Sequence, residues 1–265
     1  MLKVFKEKAN SGYWDAHWSK LSTNELYKID KGSFLEKKFL KFLPKDGKIL
    51  EGGCGLGQWV KILVEHGYDI FGLDFAEETV KTLNKTNPEL KISKGDVFNL
   101  LLKDGGLSGY ISLGVIEHFE EGPEKIIKEM KRVLRRDGIL IVTVPFQSMF
   151  LRFKYFFNNN QKGEGAFYQY HYNLNEMKSF FEEFSVIDVD YFDPFKTLRD
   201  ESSLLKKFHR KIKGSNQKER NGNSINVNNS EQKSLIKNLN KIKLFRWFFG
   251  HMIILTLKND KKDII

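Results

Sequence analysis

The residues best suited to chemistry lie in the stretch KILEGGCGLGQW, at positions 48–59. Two apolar residues lead to the acid Glu51, and then come Gly53, Gly55 and Gly57 and an apolar pattern with helical spacing. Glycine permits a positive φ and lets a ligand approach the backbone, and the first N–H groups of a helix have no partner within it. The stretch therefore predicts a strand, a tight turn and a helix start that together bind a nucleotide-like ligand.

The spacing of the glycines and the position of the acid indicate which ligand this is. A dinucleotide loop reads G-x-G-x-x-G, whereas here the third glycine comes one residue early and Gln58 stands in its place. Glu51 would repel a phosphate and would suit a cationic amino-acid group, which favours S-adenosylmethionine. The pattern E-x-G-x-G-x-G after a strand resembles the first motif of the class I S-adenosylmethionine-dependent methyltransferases. On this motif alone, a tight turn without a ligand is the alternative.

A second acid follows in the order that the resemblance implies. The predicted strand 69–74 ends in Asp74, 23 residues after Glu51, where a carboxylate can accept hydrogen bonds from ribose hydroxyls. The neighbouring Phe75 is included as a cofactor contact on the same resemblance. An acid that only favours the start of the following helix is the alternative for Asp74.

A third acid stands after the predicted third strand, 90–93. The sequence Gly95-Asp96-Val97-Phe98 resembles the family motif in which the acid approaches the adenine amine and the next residue packs near the ring. The resemblance therefore assigns Asp96 and Val97 to the adenine, and adds Leu113, at the predicted fourth strand 110–114, to the cofactor-binding residues.

The loop after the fourth strand indicates the class of acceptor. The sequence ISLGVIEHF at 111–119 resembles small-molecule methyltransferases, including the O-methyltransferases of ubiquinone synthesis. The Asp/Asn-Pro-Pro-aromatic motif of nucleic-acid amino-methyltransferases is absent from this position. Gly114 stands where metal-binding relatives have their first acid, and we therefore predict no metal site.

A general base is the one group that methyl transfer to a hydroxyl or amine would require of the protein. We predict His118, since an unperturbed histidine has a pKa near 6.5, with Glu117 as the group that could hold one tautomer. His171 is the second candidate. A histidine that only bonds the backbone of the loop is the alternative.

Aromatic residues form the other candidate walls of the site. The segment before the helix at 174–184 lines the acceptor pocket in the family, and we assign Phe146, Tyr168 and Tyr170 to it. Tyr13 and Trp14, in the N-terminal arm, are predicted to cap the cofactor; the alternative is that they only anchor the arm.

Composition limits the classes of protein. The chain has 265 residues and 40% hydrophobic content, enough for one large domain, and Cys54 is its only cysteine, which rules out an intrachain disulfide. No apolar run is long enough to span a bilayer and the N-terminus lacks a secretory apolar segment, so we expect a cytoplasmic location.

The elements that must position these residues form an alternating strand and helix pattern. Further predicted elements are a helix at 125–136 and strands at 139–144, 186–192 and 252–257. The fold class is thus α/β, a doubly wound seven-stranded sheet, for which the resemblance implies the order 3-2-1-4-5-7-6 of the Rossmann-like methyltransferase fold.

We divide the chain into an N-terminal helical arm at 1–32, a methyltransferase domain at 33–195 plus 246–265, and an insertion at 196–245. Residues 196–265 carry 17 Lys and Arg against 6 Asp and Glu, whereas residues 1–195 carry 27 against 28. The basic excess is therefore C-terminal, and the Asn/Ser/Lys-rich composition of the insertion predicts that part of it is disordered.

Three segments carry aromatic residues beside positive charge: 149–157, 204–213 and 242–249. Such segments can lie in the interface of an anionic membrane, which makes a membrane surface a candidate partner beside a small-molecule acceptor. Packing of these aromatics within the protein is the alternative, and nucleic acid is the least favoured partner.

The predicted function is methyl transfer from S-adenosylmethionine to a hydroxyl oxygen of an apolar or lipid-like metabolite, with a histidine base. The alternatives are a methyltransferase that holds RNA or protein through the basic insertion, and a protein that binds the cofactor without catalysis.

Overall fold

The structure is a computed structural model, and it describes residues 1–157, 165–194, 196, 238–239 and 241–260. Its helices and strands are, in chain order, β1 (Leu2–Lys6), α1 (Ser11–Trp18), α2 (Thr23–Asp30), α3 (Phe34–Phe42), β2 (Lys48–Gly52), α4 (Gln58–Glu65), β3 (Asp69–Asp74), α5 (Glu77–Thr86), β4 (Ile92–Lys94), β5 (Leu107–Leu113), a 3₁₀ helix (Ile116–His118), α6 (Glu124–Val133), β6 (Leu134–Pro145), α7 (Met149–Phe157), β7 (Ala166–His171), α8 (Leu174–Phe180), β8 (Ser185–Phe192), α9 (Lys243–Phe249) and β9 (Met252–Lys258).

Seven strands form one sheet in the order β4-β3-β2-β5-β6-β9-β8. The neighbours β4, β3, β2, β5 and β6 pair in parallel, so their carboxyl ends share one edge of the sheet. With β1 and β7 set aside, because these two pair with each other in a separate sheet, the order is the predicted 3-2-1-4-5-7-6. The predicted fold class is confirmed.

The central strands are apolar on both faces, as a parallel sheet covered by helices requires. In β2, Ile49 and Leu50 are both fully buried, and β5 is buried over six of its seven residues. Helices α4 and α6 supply the opposing apolar side chains Trp59, Val60, Ile126 and Met130. The sheet is therefore a rigid support for the loops that leave its carboxyl edge.

The helix predicted at 125–136 ends earlier than its apolar pattern indicated. Helix α6 stops at Val133, and Leu134 begins β6, where it pairs with Leu107. Arg132 holds this junction, because its guanidinium donates to the carbonyl oxygens of Leu100 and Leu102 at 2.9 and 2.7 Å. Pairing with β5 thus overrides helix propensity in a segment that the sequence alone assigns to a helix end.

The sequence predicted a helical N-terminal arm, but the arm also contains a strand. It begins with β1, which pairs antiparallel with β7 from Leu2 opposite His171 to Lys6 opposite Ala166. The three following helices begin at residues that cap them: Asn10, Ser22 and Ser33 each accept a hydrogen bond from a backbone N–H in the first turn. Helix α7 covers the first of the three aromatic and basic segments, 149–157.

The described residues fall into two compact units. The first unit holds residues 1–145, 165–189 and 254–260, and the second holds 146–157, 190–194, 196, 238–239 and 241–253. Most of the predicted insertion, including the basic segment 204–213, lies outside the described residues, and the predicted domain boundaries stay a prediction.

Candidate functional site

The glycine loop between β2 and α4 leaves no room for side chains. Gly53 has a φ of 78°, and a Cβ there would lie 2.4 Å from a methyl carbon of Val115. Gly55 has a φ of 51°, and its Cβ would lie 2.7 Å from the ring of Trp18 in α1. Both positions combine a left-handed backbone with a close neighbour, which only glycine satisfies. The loop backbone therefore packs closely against Val115, in the loop after β5, and against Trp18 of the N-terminal arm.

Asp74 joins the end of β3 to this loop. One carboxylate oxygen accepts from the Gly55 N–H at 2.7 Å, and the other accepts from the Ala76 N–H at 2.9 Å. The side chain is buried, and burial raises the pKa of its carboxyl above the usual range, although the backbone donors oppose that effect. Each oxygen has a second lone pair, so the carboxylate can still accept from the hydroxyls of a ligand.

Glu51, at the end of β2, is buried to 2% exposure, and its Oε2 has no hydrogen-bond partner among the described residues. Burial, with the nearby charge of Asp74, raises the pKa of this carboxyl well above its ordinary value. A buried acceptor without a donor is costly, and a donor on a ligand would relieve that cost. The side chain does not line the cavity described next.

A cavity of about 530 Å³ opens beside the glycine loop, within the first unit. Most of its wall is apolar, and the acids Asp74 and Asp96 supply its negative charge; Lys94, also in the wall, bonds Glu77. The residues that line the cavity are Ala9, Trp14, Trp18, Gly53, Asp74, Phe75, Lys94, Gly95, Asp96, Val97, Phe98, Leu113, Gly114, Val115, His118 and Phe119. Seven of the predicted cofactor-binding residues thus lie in one wall, together with the predicted base.

His118 is held in one orientation by a residue 50 positions away. Its Nδ1 lies 2.8 Å from the carbonyl oxygen of Tyr168 in β7, and a carbonyl only accepts, so Nδ1 carries the hydrogen. The imidazole is 8% exposed, and burial lowers its pKa. The ring is therefore neutral near pH 7, with its lone pair on Nε2.

Glu117 does not fix this tautomer. Its Oε1 lies 4.0 Å from Nε2 of His118, beyond hydrogen-bond distance, and its Oε2 has no partner among the described residues. Burial raises the pKa of the Glu117 carboxyl to about 8, so that it is mostly protonated at neutral pH. The Tyr168 carbonyl performs the positioning that the sequence had suggested for Glu117.

The aromatic residues that were predicted to line the site lie in different environments. Trp14 lines the cavity with its ring 5.1 Å from that of His118, while the Tyr13 hydroxyl lies 3.3 Å from the Tyr168 hydroxyl. Tyr170 is buried, and its hydroxyl donates to the Glu120 carbonyl at 2.9 Å. Tyr168 thus borders the site through its contacts with His118 and Tyr13.

Two predicted site residues, His171 and Phe146, lie outside the cavity wall. His171, in β7, has its Nε2 3.0 Å from Nε2 of Gln169. Phe146 belongs to the second unit, where its ring packs 4.7 Å from that of Tyr191. Neither is among the cavity residues.

The sequence prediction missed three aromatic residues of the cavity wall. Trp18 stands four residues after Trp14 and so shares its face of α1, a spacing that could have identified it. Phe98 and Phe119 form an edge-to-face pair, 4.6 Å apart, across loops that are 21 residues apart in the chain. No local pattern signals that pair.

Across the described ranges, no three His, Cys, Asp or Glu side chains are grouped closely enough to hold a metal ion. Among the same residues, none of the helices is long and apolar enough to cross a bilayer.

Residues 50–142 match the family of methyltransferase domains. A probable S-adenosylmethionine-dependent methyltransferase of Mycolicibacterium smegmatis is 31% identical over 97 residues, which cover 37% of each chain. A probable tRNA methyltransferase 9B of Mus musculus is 32% identical over 110 residues, which cover 41% of this chain and 24% of the relative. This chain therefore spans less than two thirds of the length of these curated relatives.

A crystal structure of an S-adenosylmethionine-dependent methyltransferase from Archaeoglobus fulgidus superposes with a TM-score of 0.55 over 90% of this chain and 95% of that chain. The two sequences are 16% identical, so this likeness shows the fold alone.

Proposed function

We propose that this chain transfers a methyl group to a hydroxyl of a small apolar acceptor. Through its domain at residues 50–142, the chain belongs to the class I S-adenosylmethionine-dependent methyltransferases. The observation that carries this proposal is the setting of His118. A neutral imidazole with a fixed tautomer lies in the wall of a mainly apolar cavity that also contains the acids expected to hold the cofactor.

The residues present fit the cofactor. Gly53 lines the cavity without a side chain, and Asp74 in the same wall keeps lone pairs beyond its two backbone hydrogen bonds. Glu51, outside the cavity wall, stays a predicted cofactor contact. Asp74 would accept from the ribose hydroxyls, and Asp96 with Val97 would contact the adenine. When bound, the cofactor supplies a methyl group on a positively charged sulfur, which makes that methyl an electrophile.

The apolar wall supports a small apolar acceptor. Trp14, Phe98 and Phe119 line the cavity, and aromatic surfaces favour an apolar body over a highly charged one. The same residues exclude water, which would compete for the methyl group, and they hold the acceptor near its reacting position.

His118 would act as the general base. Its Nε2 takes the proton of the acceptor hydroxyl, and the bond from Nδ1–H to the Tyr168 carbonyl becomes stronger as the ring gains positive charge. Little further covalent chemistry is needed from the protein, because the electrophile is already activated. Positioning and proton removal are the two tasks assigned to the chain's own residues.

Calorimetry with S-adenosylmethionine and with its demethylated product tests the cofactor site. We expect one site per chain and no competition from dinucleotides, because the loop departs from the dinucleotide spacing. Binding of a dinucleotide at the same site would contradict the proposal.

Transfer of a labelled methyl group tests the acceptor class. We expect the label to enter an organic-solvent extract of cell metabolites, and a chelator to leave the rate unchanged. Binding without transfer to any fraction would support the alternative of a non-catalytic cofactor-binding protein. Loss of activity with the chelator would show that a metal prepares the nucleophile.

RNA is the second candidate acceptor, and the similarity to a probable tRNA methyltransferase favours it. That relative matches this chain over less than half of its length, and the basic insertion that would hold RNA lies mostly outside the described residues. Label recovered in RNA, and reduced by nuclease, would replace the small-molecule proposal.

A further inference from the structure

Two helices of the second unit carry aromatic and cationic side chains without any acid. The segments 146–157 and 238–250, which contain α7 and α9, have five Lys or Arg residues and no Asp or Glu. The helices pack on each other through Phe150 and Phe249, whose ring centroids are 5.5 Å apart. We call these two segments the helix pair.

Part of the apolar surface of the helix pair faces outward. In α7, Phe153 and Phe156 are 55% and 79% exposed, and a spacing of three places them on one face. Just before and within α9, Ile242 and Leu244 are 50% and 69% exposed. Single exposed apolar residues are common, whereas four in two packed helices whose segments contain no Asp or Glu indicate a surface that binds a partner.

The charges beside these side chains indicate the sign of the charge on that partner. Lys241 and Lys243 alternate with Ile242 and Leu244, and all four residues are exposed. Arg152 is exposed next to Phe153. The remaining arginine, Arg246, is paired with Asp190 at 2.7 Å and contributes less to the field outside. The surface is thus cationic as well as apolar, which suits an anionic partner with an apolar interior.

We propose that the helix pair binds an anionic lipid membrane at its interface, with Phe153, Phe156, Ile242 and Leu244 in the acyl boundary and the lysines at the headgroups. A helix that lies in the interface combines apolar burial with attraction to anionic lipid in this way. The inference goes beyond the proposed function, because membrane binding requires neither the cofactor nor catalysis.

Lipid fits this surface better than RNA or a second copy of the chain. Bases bind single-stranded sites by stacking on rings, which Ile242 and Leu244 cannot provide, whereas acyl chains accept aliphatic and aromatic side chains alike. A second copy would bring the same cations, and like charges would repel at close range. The chain segment 198–237 is itself net basic, so the same repulsion opposes its docking on the helix pair.

Co-sedimentation of the full chain with vesicles tests the proposal. Vesicles of phosphatidylcholine alone are compared with an equal mixture of phosphatidylcholine and phosphatidylglycerol, at low and high salt. We expect binding that requires the anionic lipid and weakens with salt. Equal recovery of the chain in the supernatant with and without anionic vesicles at low salt would overturn the proposal.

Two double variants separate the charged and apolar contributions. K241E with K243E is expected to lower the partition coefficient by about 30-fold or more, since each cation near an anionic surface is worth roughly fivefold. I242S with L244S keeps the charge and is expected to lower it by about 100-fold or more. Matched controls in the first unit, K125E with K128E and I29S with L101S, change exposed residues of the same types and should alter binding by less than about twofold.

Other outcomes identify other occupants. If the lysine variant loses binding, the apolar variant does not, and RNA competes with vesicles, the surface is a polyanion site and the membrane proposal fails. If sedimentation without vesicles shows a dimer that I242S with L244S abolishes, the surface joins two copies. If deletion of 198–213 removes vesicle binding while both double variants bind normally, the contact lies outside the helix pair.

Discussion

Two regions of this protein carry aromatic side chains beside charges of opposite sign. In the cavity of the first unit, Trp14, Phe98 and Phe119 stand with Asp74 and Asp96. In the helix pair of the second unit, aromatic side chains stand with lysines and arginines, and the two segments contain no acid. The rings give both regions an apolar surface, but the neighbouring charge determines what each can bind.

The two regions show how aromatic residues can contribute to the binding of two kinds of ligand. An apolar cavity wall with carboxylates suits a cofactor that carries positive charge and hydroxyl donors, because the acids accept from both. An exposed apolar surface with cations suits an extended anionic interface. Each cation there makes a weak contact that salt screens, and an extended interface allows many such contacts. Four measurements test this contrast, and they follow in order of decreasing effect.

The largest effect is expected from His118→Ala. Loss of a general base lowers turnover by about 10²–10⁴-fold, while cofactor affinity should remain nearly the same. Rates under saturating cofactor, together with calorimetry, measure the two quantities separately. His171→Ala is the matched comparison. A fully active His118→Ala variant with an inactive His171→Ala variant would move the base to His171.

The next effect is expected from Asp74→Ala. Loss of two hydrogen bonds from ribose hydroxyls to a charged acceptor should weaken cofactor binding by about 2–5 kcal/mol. Because Asp74 also accepts from two backbone N–H groups, unfolding is followed in parallel, and binding is measured well below the midpoint of unfolding. Asp69→Ala, at the opposite end of the same strand, is the control. Unchanged affinity in Asp74→Ala would remove the ribose assignment.

A third effect concerns pH and Glu117. Its folded-state pKa is raised from 4.5 to about 8, so between these values the unfolded chain has released a proton that the folded chain retains. This contribution to stability is therefore fully present below about pH 4.5 and is lost as the pH rises to about 8. Glu117→Gln should remove this loss, which amounts to at most about 4 kcal/mol between pH 5 and pH 8.

Denaturant unfolding at several pH values measures the Glu117 effect. The exposed Glu121→Gln is its control and should follow the wild type. A Glu117→Gln variant whose unfolding free energy depends on pH as strongly as that of the wild type would show that this carboxyl ionises freely.

The smallest effect is the response of cofactor binding to salt. The contacts expected in the cavity are short-range hydrogen bonds, so we expect affinity to change by less than about twofold over a range of salt that removes vesicle binding by the helix pair. Parallel titrations of the same preparation measure both. Equal salt dependence at the two regions would contradict the contrast between them.

The sequence pattern alone indicated which residues stand at the ends of the strands, and its resemblance to a known family implied the sheet order. Glu51, the glycine loop, Asp74 and Asp96 lie at or just after the carboxyl ends of strands in a repeated strand–helix pattern, and parallel strands bring these ends to one edge. Local spacing was sufficient for these residues because the repeat itself fixes where the strands end. The roles of these residues toward the cofactor stay predictions.

Only the tertiary structure shows the surroundings of His118 and the aromatic part of the cavity wall. The bond from His118 to the Tyr168 carbonyl, the pairing of β1 with β7 and the contact of Phe98 with Phe119 join segments that no helical or strand period relates. The burial of Glu117, and the strand that begins at Leu134 where a helix was expected, also depend on distant neighbours. Pairing and packing between remote segments set these features, because burial and backbone hydrogen bonding of the whole chain outweigh the local preference of any one residue.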